Sequence, residues 1–272
     1  MRIRKNILVV FYGIGRSPNC IKSNIEKLNI HKKNFNFTYA YAINNITEIS
    51  NPRTLEFKKI DKKSISSIKK NISIFFEKDQ KNYESIFSEF IKFELNINFK
   101  DPYRDDYKTL QNLFCQLSLL SDFFKENTLH EYDSCLVIRD DVVFLGTLGL
   151  FKSFQLISSL KNTIFTTSYH WHKGINDRII LISLENFNIF DNRLNLLKEK
   201  LRYNNFFNSE TINFEVIKKL KLTVITTPFR IIRVRSQGKK RREIFFLRPL
   251  RVKETLRVLF SIFLFFKYNF LK

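Results

Sequence analysis

The sequence predicts an α/β domain, with a mostly parallel central sheet flanked by helices and a basic and apolar C-terminal helical tail. Three stretches carry that prediction. Ile7–Tyr12, reading ILVVFY, is a β-branched and aromatic run of strand length that ends in Gly13-Ile14-Gly15 and leads to a helix start near Ser17 or Pro18. Thr109–Glu126 repeats Leu and Phe at three- and four-residue spacings, the broad stripe of a helix packed on a sheet. Directly after it, Tyr132–Leu145 reads YDSCLVIRDDVVFL, a short continuous apolar run of the buried-strand kind that meets Arg139-Asp140-Asp141.

The remaining elements follow in order. Met1–Lys5 is a short basic lead without the apolar core of a signal peptide. Ile21–Leu28 reads as the first helix and Phe35–Ala42, FNFTYAYA, as the second strand. The lysine-rich residues 44–82 read as irregular structure around a weak helix, Ser64–Lys70, and a short strand near Ile72–Phe76; Tyr83–Phe93 is helical. Beyond the charged strand end come a helix at Leu150–Leu160 and strands at Ile164–Thr167 and Ile179–Ile182. Helices follow at Asn186–Leu201 and Ser209–Leu220, the second with Ser209 as N-cap and Glu210 in the first turn, where a carboxylate favours the helix dipole. Leu222–Thr226 and Phe229–Val234 are short strands split by Pro228, and Arg235–Gly238 closes a domain of residues 1–238, leaving 239–272 as the tail.

A chain of 272 residues buries enough core to need no disulfides. Its three cysteines, Cys20, Cys115 and Cys135, are widely spaced in apolar runs, which suits reduced core thiols in a cytosolic protein. The net charge of +21 suggests nucleic acid at first sight. Two features temper that reading. Crowding by Lys, Asn, Ile and Phe, with 30 Phe against one Trp, points to a coding bias that inflates lysine. The excess is also uneven, because residues 230–272 hold 13 Lys and Arg against two Glu.

Chemistry is concentrated at three places. Arg139-Asp140-Asp141 ends a buried strand in charge, which is costly unless the charges are paired or metal-bound. Ligands of open α/β sheets bind at the carboxyl ends of strands, and paired Asp there suit a divalent cation, Mn2+ or Mg2+, that holds a phosphate. The alternative is an Arg139 salt bridge to one Asp, with the other in water at a turn. At the Gly13 turn, glycine and a helix N-terminus let backbone approach a phosphate. The full GxGxxG and any Walker lysine are missing, which excludes a P-loop and leaves a plain βα turn as the alternative. The loop Ser168–Arg178 holds the only Trp, Trp171, and two of the four His, His170 and His172. With no third ligand at a fitting spacing, this loop suits stacking on a sugar or base better than zinc.

In this order and spacing, the chain resembles a family of microbial and viral glycosyltransferases with a GT-A-like nucleotide-sugar fold, found among polysaccharide and lipopolysaccharide biosynthesis enzymes. The residues that carry the resemblance are FYGIGRS at Phe11–Ser17, VIRDDVVF at Val137–Phe144, the Asn176-Asp177 step into a strand, the Ser209-Glu210 helix start and Arg235…Gly238. It spans residues 6–238 and implies a single Rossmann-like GT-A-type domain. It further implies that Tyr12, Gly13, Arg16, Arg139, Asp140 and Asp141 face the nucleotide-sugar donor, with Asp141 at the metal position. His170, Trp171 and Asn176 would face a glycan or glycolipid acceptor. Asp177 would be the catalytic base, with Glu210 the second choice. The chain departs from the family in having Gly15 where proline is common and in lacking a strict DxD.

The tail carries 11 Lys and Arg between Arg230 and Arg257, followed by the apolar run VLFSIFLFF at Val258–Phe266. Nine residues are too few to span a bilayer, so the expectation is an interfacial helix on an anionic membrane, peripheral at the inner face. The alternative is a C-terminal helix packed on the domain. Two other classes stay open: a basic nucleic-acid-binding protein without catalysis, against which the carboxylates argue, and a catalytically inactive, membrane-associated transferase-like protein.

Overall fold

A computed structural model describes residues 4–51, 56–95, 99–167, 174–203, 207–227, 231–236, 238, 240–242, 262–264 and 267. In chain order the elements are β1 (Lys5–Gly13), α1 (Pro18–Asn29), β2 (Phe35–Asn45), β3 (Glu48–Asn51), β4 (Glu56–Lys59), α2 (Lys62–Lys69) and β5 (Ile74–Asp79). Next come α3 (Gln80–Phe93), α4 (Lys108–Glu126), β6 (Ser134–Arg139), β7 (Val142–Phe144), α5 (Leu148–Ile157) and β8 (Thr163–Thr167). The last are β9 (Ile179–Ser183), α6 (Asn188–Arg202), α7 (Ser209–Lys219), β10 (Thr223–Thr227), β11 (Ile231–Val234) and β12 (Lys240–Arg242).

Seven strands form the main sheet in the order β10-β8-β9-β6-β1-β2-β5. All are parallel to their neighbours except β9, which runs against both β6 and β8. This is the mostly parallel α/β architecture that the sequence predicts. The central position of β1 explains its composition: Ile7 to Tyr12 are all 1% exposed or less. Side chains alternate between the faces of a strand. Ile7, Val9 and Phe11 therefore pack with Ile21, Ile25 and Leu28 of α1 and with Leu150, Phe154 and Ile157 of α5. Leu8, Val10 and Tyr12 meet Leu119, Leu120 and Phe123 of α4 and Ile189 and Phe190 of α6 on the other face. Each such side chain contributes about 1.5–3 kcal/mol when fully buried, which leaves a strand this apolar no stable place at an edge. Cys20, Cys115 and Cys135 are free and buried.

Two departures from the sequence reading matter for function. The stretch expected to be irregular contains an antiparallel hairpin, β3 with β4, whose Ile49 and Glu56 are buried. Helix α7 is capped by Asn208 rather than Ser209: the Asn208 side chain accepts from the Thr211 backbone at 2.8 Å, and the Thr211 hydroxyl accepts from the Asn208 backbone at 2.8 Å. Both Asn and Ser are good caps, and the reciprocal bond from Thr211 decides between them. A smaller sheet, β12-β11-β7, continues from the charged turn. No helix among the described residues is long and apolar enough to cross a membrane. Of the tail, Ile262 and Leu264 pack against the two faces of the core while Phe263 is 58% exposed; the rest of the expected interfacial helix lies outside the described residues.

Candidate active site

Register brings the three chemical stretches to one edge of the sheet. Tyr12 of β1 lies opposite Arg139 of β6, so the Gly13 turn and the Arg139-Asp140-Asp141 turn leave the sheet together. Because β9 is antiparallel, Ile179 lies opposite Ile138, and Asn176, Asp177 and Arg178 just ahead of it reach the same edge.

The two aspartates point to different partners. Asp140 folds under the glycine loop, where its Oδ2 accepts from the backbone N–H of Gly15 at 2.8 Å, that of Arg16 at 3.2 Å and the Tyr41 hydroxyl at 3.2 Å. Gly13 leaves room for it, since a Cβ there would lie 2.3 Å from the Asp140 carboxyl carbon. Burial and the charge of Asp141 push the Asp140 pKa up to about 6. Asp141 is fully buried and held by guanidinium groups. Arg139 donates from Nε to Oδ1 at 3.1 Å and from Nη2 to Oδ2 at 2.6 Å, and Arg16 donates from Nη1 to Oδ2 at 3.2 Å. Burial disfavours the Asp141 charge, but Arg139 and Arg16 outweigh it and hold the carboxyl well below the usual carboxylate range.

The hairpin contributes the next shell. Glu56, 1% exposed, lies 3.4 Å from Arg16 Nε and accepts from Arg235 Nη1 at 2.8 Å and from the Ser236 backbone at 3.0 Å. The Val234 N–H donates to the Asp141 carbonyl at 2.7 Å, which ties β11 to the same turn.

On the other side of Arg139, the Tyr12 hydroxyl donates to the Asp177 carbonyl at 2.8 Å and the Ser209 hydroxyl donates to Asp177 Oδ2. Asp177 Oδ1 is buried with no hydrogen-bond partner among the described residues. Burial raises the Asp177 pKa, but Arg178, Arg139 and the Ser209 bond bring it below the ordinary value. Asn176 is fully buried, and its Oδ1 accepts from the Arg178 backbone at 2.8 Å, so the side chain shapes the turn that presents Asp177. Glu210 sits in the first turn of α7, where its carbonyl accepts from the Ile175 N–H at 2.9 Å. Burial and the Asp177 charge push the Glu210 pKa up to about 7. A carboxyl with a raised folded pKa binds its proton more tightly in the folded state. Its contribution to stability is therefore present below about 4.5 and lost as pH rises to about 7. Glu210→Gln should accordingly gain thermal stability relative to the parent between about pH 5 and pH 8. A pH-independent difference in melting temperature would rule this out.

A cavity of about 530 Å³ opens at this edge. Tyr12, Gly13, Arg16, Arg139 and Asp140 border one part of it. Asn44, Gln116 and Leu119 border another, where Asn44 Oδ1 and Gln116 Nε2 are buried without hydrogen-bond partners among the described residues. A second cavity of about 820 Å³ also borders Arg16 and is lined by Lys27, Lys58, Lys59 and Arg235, with Ile49 of the hairpin shared between the two. Asp141, Asn176, Asp177 and Glu210 border neither. Asp177 is joined to the first cavity through Tyr12 and Arg139. His170 and Trp171 lie outside the described residues.

A divalent cation at Asp141 does not fit this donor set. Its oxygens are turned to two guanidinium groups, the Asp140 Oδ2 accepts three donors, and no three His, Cys, Asp or Glu come together for a metal among the described residues. Tyr41, Asn44, Glu56 and Gln116 were not singled out in the sequence. Tyr41 lies in the Phe35–Ala42 run, whose alternation explains it as strand, and Asn44 opens the stretch read as irregular. Glu56 is an isolated acid beside lysines, which is the one signal that could have marked it.

No protein-family model matches the sequence, and no curated protein matches it. Among solved structures, the galactosyltransferase LgtC, solved with donor and acceptor sugar analogues, is similar at 9% identity, covering 80% of this chain and 72% of that one with a TM-score of 0.44. The mannosyltransferase Ktr4p of S. cerevisiae is similar at 11% identity, 84% and 70% coverage and a TM-score of 0.49. Mouse xyloside xylosyltransferase 1 is similar at 10% identity, 82% and 85% coverage and a TM-score of 0.42. Likeness at this level leaves the chemistry of this chain to its own residues.

Proposed function

We propose that the protein is a glycosyltransferase that moves a sugar from a nucleotide-sugar donor to a glycan or glycolipid acceptor of a cell surface. The observation that supports this best is one cavity with Arg16 and Arg139 beside the glycine turn and, in its wall, Asn44 Oδ1 and Gln116 Nε2 without hydrogen-bond partners among the described residues, with Asp177, whose backbone carbonyl accepts from Tyr12, behind that wall. Cations suit a diphosphate, amides suit the edge of a base, and a carboxylate with a free oxygen suits an acceptor hydroxyl. In the reaction the bond from the anomeric carbon to the phosphate oxygen breaks, with its electron pair going to the diphosphate. The acceptor oxygen bonds to that carbon and gives up its proton; if the configuration inverts, Asp177 is the base we assign, and because it borders neither cavity it takes the proton only when Tyr12 and Arg139 uncover its Oδ1.

Incubating the full chain with a panel of nucleotide sugars should release nucleoside diphosphate. Asp177→Asn should slow turnover by about 100-fold or more while donor affinity stays within about twofold. Absence of any nucleotide-sugar binding, together with duplex DNA binding of steep salt dependence, would replace this reading with the nucleic-acid one. For the acceptor side we propose docking on an anionic membrane surface through the basic residues of 239–272, each contributing about 1 kcal/mol. Ile262 and Leu264 are engaged by the domain core, which is why the cations carry that contact. Binding to anionic vesicles should vanish at high salt and on deleting residues 239–272; salt-resistant binding would refute electrostatic docking.

A further inference from the structure

Resting on the glycosyltransferase reading, we infer that the donor diphosphate is held by the guanidinium groups of Arg16 and Arg139, in the place that a divalent cation would otherwise take. Asp141 is the residue that would have to offer an oxygen to a metal, yet it is 0% exposed and does not border the cavity. Bringing a cation to it would require breaking the paired bonds from Arg139 and the bond from Arg16. Mg2+ demands about six oxygens at about 2.0–2.1 Å. Of the carboxylates that border the cavity, Glu48, Asp79, Glu84 and Asp140, the one beside Arg16, Asp140, is already turned onto two backbone N–H groups and Tyr41, and no three acidic, His or Cys side chains come together for a metal among the described residues.

The two arginines stand in the opposite situation. Both border the cavity, with side chains 14% and 16% exposed, so each is anchored from behind by Asp141 and open in front. Arg16 is braced a second time by Glu56, which is itself fixed by Arg235. Anchored guanidinium groups lose little freedom on binding and meet phosphate oxygens in a planar fork. The surroundings also carry surplus positive charge: burial together with Arg139, Arg178 and Arg235 pushes the Arg233 pKa down to about 10. An anion in the cavity would relieve that repulsion. The carboxylates of the strand end therefore serve as counter-ions that aim the arginines, and the arginines meet the leaving group.

The test uses the full chain freed of metal with EDTA. Calorimetric titration with UDP, GDP and inorganic pyrophosphate should show at least one nucleotide and pyrophosphate binding, with affinities that change less than about twofold when Mn2+ or Mg2+ is added. The electron paramagnetic resonance signal of Mn2+ with nucleotide should be the same in the presence and absence of protein. Arg16→Met should weaken pyrophosphate binding about tenfold or more with no rescue by Mn2+, and Arg16→Lys should recover only part of it. Arg16 sits in a loop between β1 and α1, and a melting curve close to the parent's will show that the variant is folded. Affinity that rises about tenfold or more with Mn2+, or a Mn2+ signal quenched by protein beyond that seen with nucleotide alone, overturns the arginine proposal while leaving glycosyl transfer standing. Failure of every nucleotide and of pyrophosphate to bind, with and without metal, overturns both.

Discussion

Replacing Arg139 with methionine should lower the melting temperature by on the order of 10 °C and remove transfer activity. Arg139 makes two bonds to Asp141, and its charge also holds down the pKa of Asp177. Removing one member of a buried ion pair leaves the other without compensation and costs about 3–5 kcal/mol. Here Arg16 retains a single bond to Asp141, so part of the charge stays covered. The origin of the loss can be read from its pH dependence. Asp141 has a folded pKa below its ordinary value of 3.8, so its contribution to stability is present above that value and is lost as pH falls through the folded pKa. The parent should therefore lose more stability in acid than Arg139→Met, and the gap between the two melting temperatures should narrow below about pH 4. A gap that stays constant into acid would mean that Arg139 acts by packing alone. Arg139→Lys should recover only part of the stability, because an ammonium group cannot reproduce the fork that engages both oxygens.

The charged strand end illustrates how much of this site can be read from residues alone. That Arg139-Asp140-Asp141 closes a buried strand follows from the apolar run ahead of it, because continuous apolar residues of that length need a sheet with both faces covered. Which aspartate meets which partner depends on the direction of the turn. Asp140 swings to the glycine loop, more than 100 residues distant in sequence, and Asp141 to the arginines. Nor does a buried run carry its own polarity: ILIS reads the same whether β9 is parallel or antiparallel. Yet only the antiparallel choice brings Asp177 beside Arg139 at the start of a strand. The β3–β4 hairpin was the least visible element. Its strands, EISN and EFKK, are short and polar, and its buried Glu56 is held by Arg16 and by Arg235, which is 179 residues away. Long amphipathic α4 and central β1 were readable because the periodicity of the one and the unbroken apolar run of the other are both carried by consecutive residues.

Gly13→Ala is expected to damage donor binding and stability together, through the position of Asp140. An added methyl would lie 2.3–2.4 Å from three atoms of the Asp140 carboxyl group, so that group must move. Moving it forfeits acceptance from Gly15, Arg16 and Tyr41, and with it the fold of the loop that places Arg16 on the cavity. Overpacking of this kind costs about 3 kcal/mol, and the Michaelis constant for donor should rise about tenfold or more. Gly15→Ala is the comparison that separates clash from backbone strain. Gly15 has φ of +74°, where a side chain costs about 1 kcal/mol, and its new methyl would meet only the movable end of Ile65. It should therefore be the milder change. The decisive variant is the double one. If Gly13 is needed only to make room for the Asp140 carboxyl, then Gly13→Ala adds nothing once Asp140→Ala is present, and the two losses are strongly non-additive. Additive losses would instead show that the glycine serves the backbone of the turn itself, leaving the contact with Asp140 incidental.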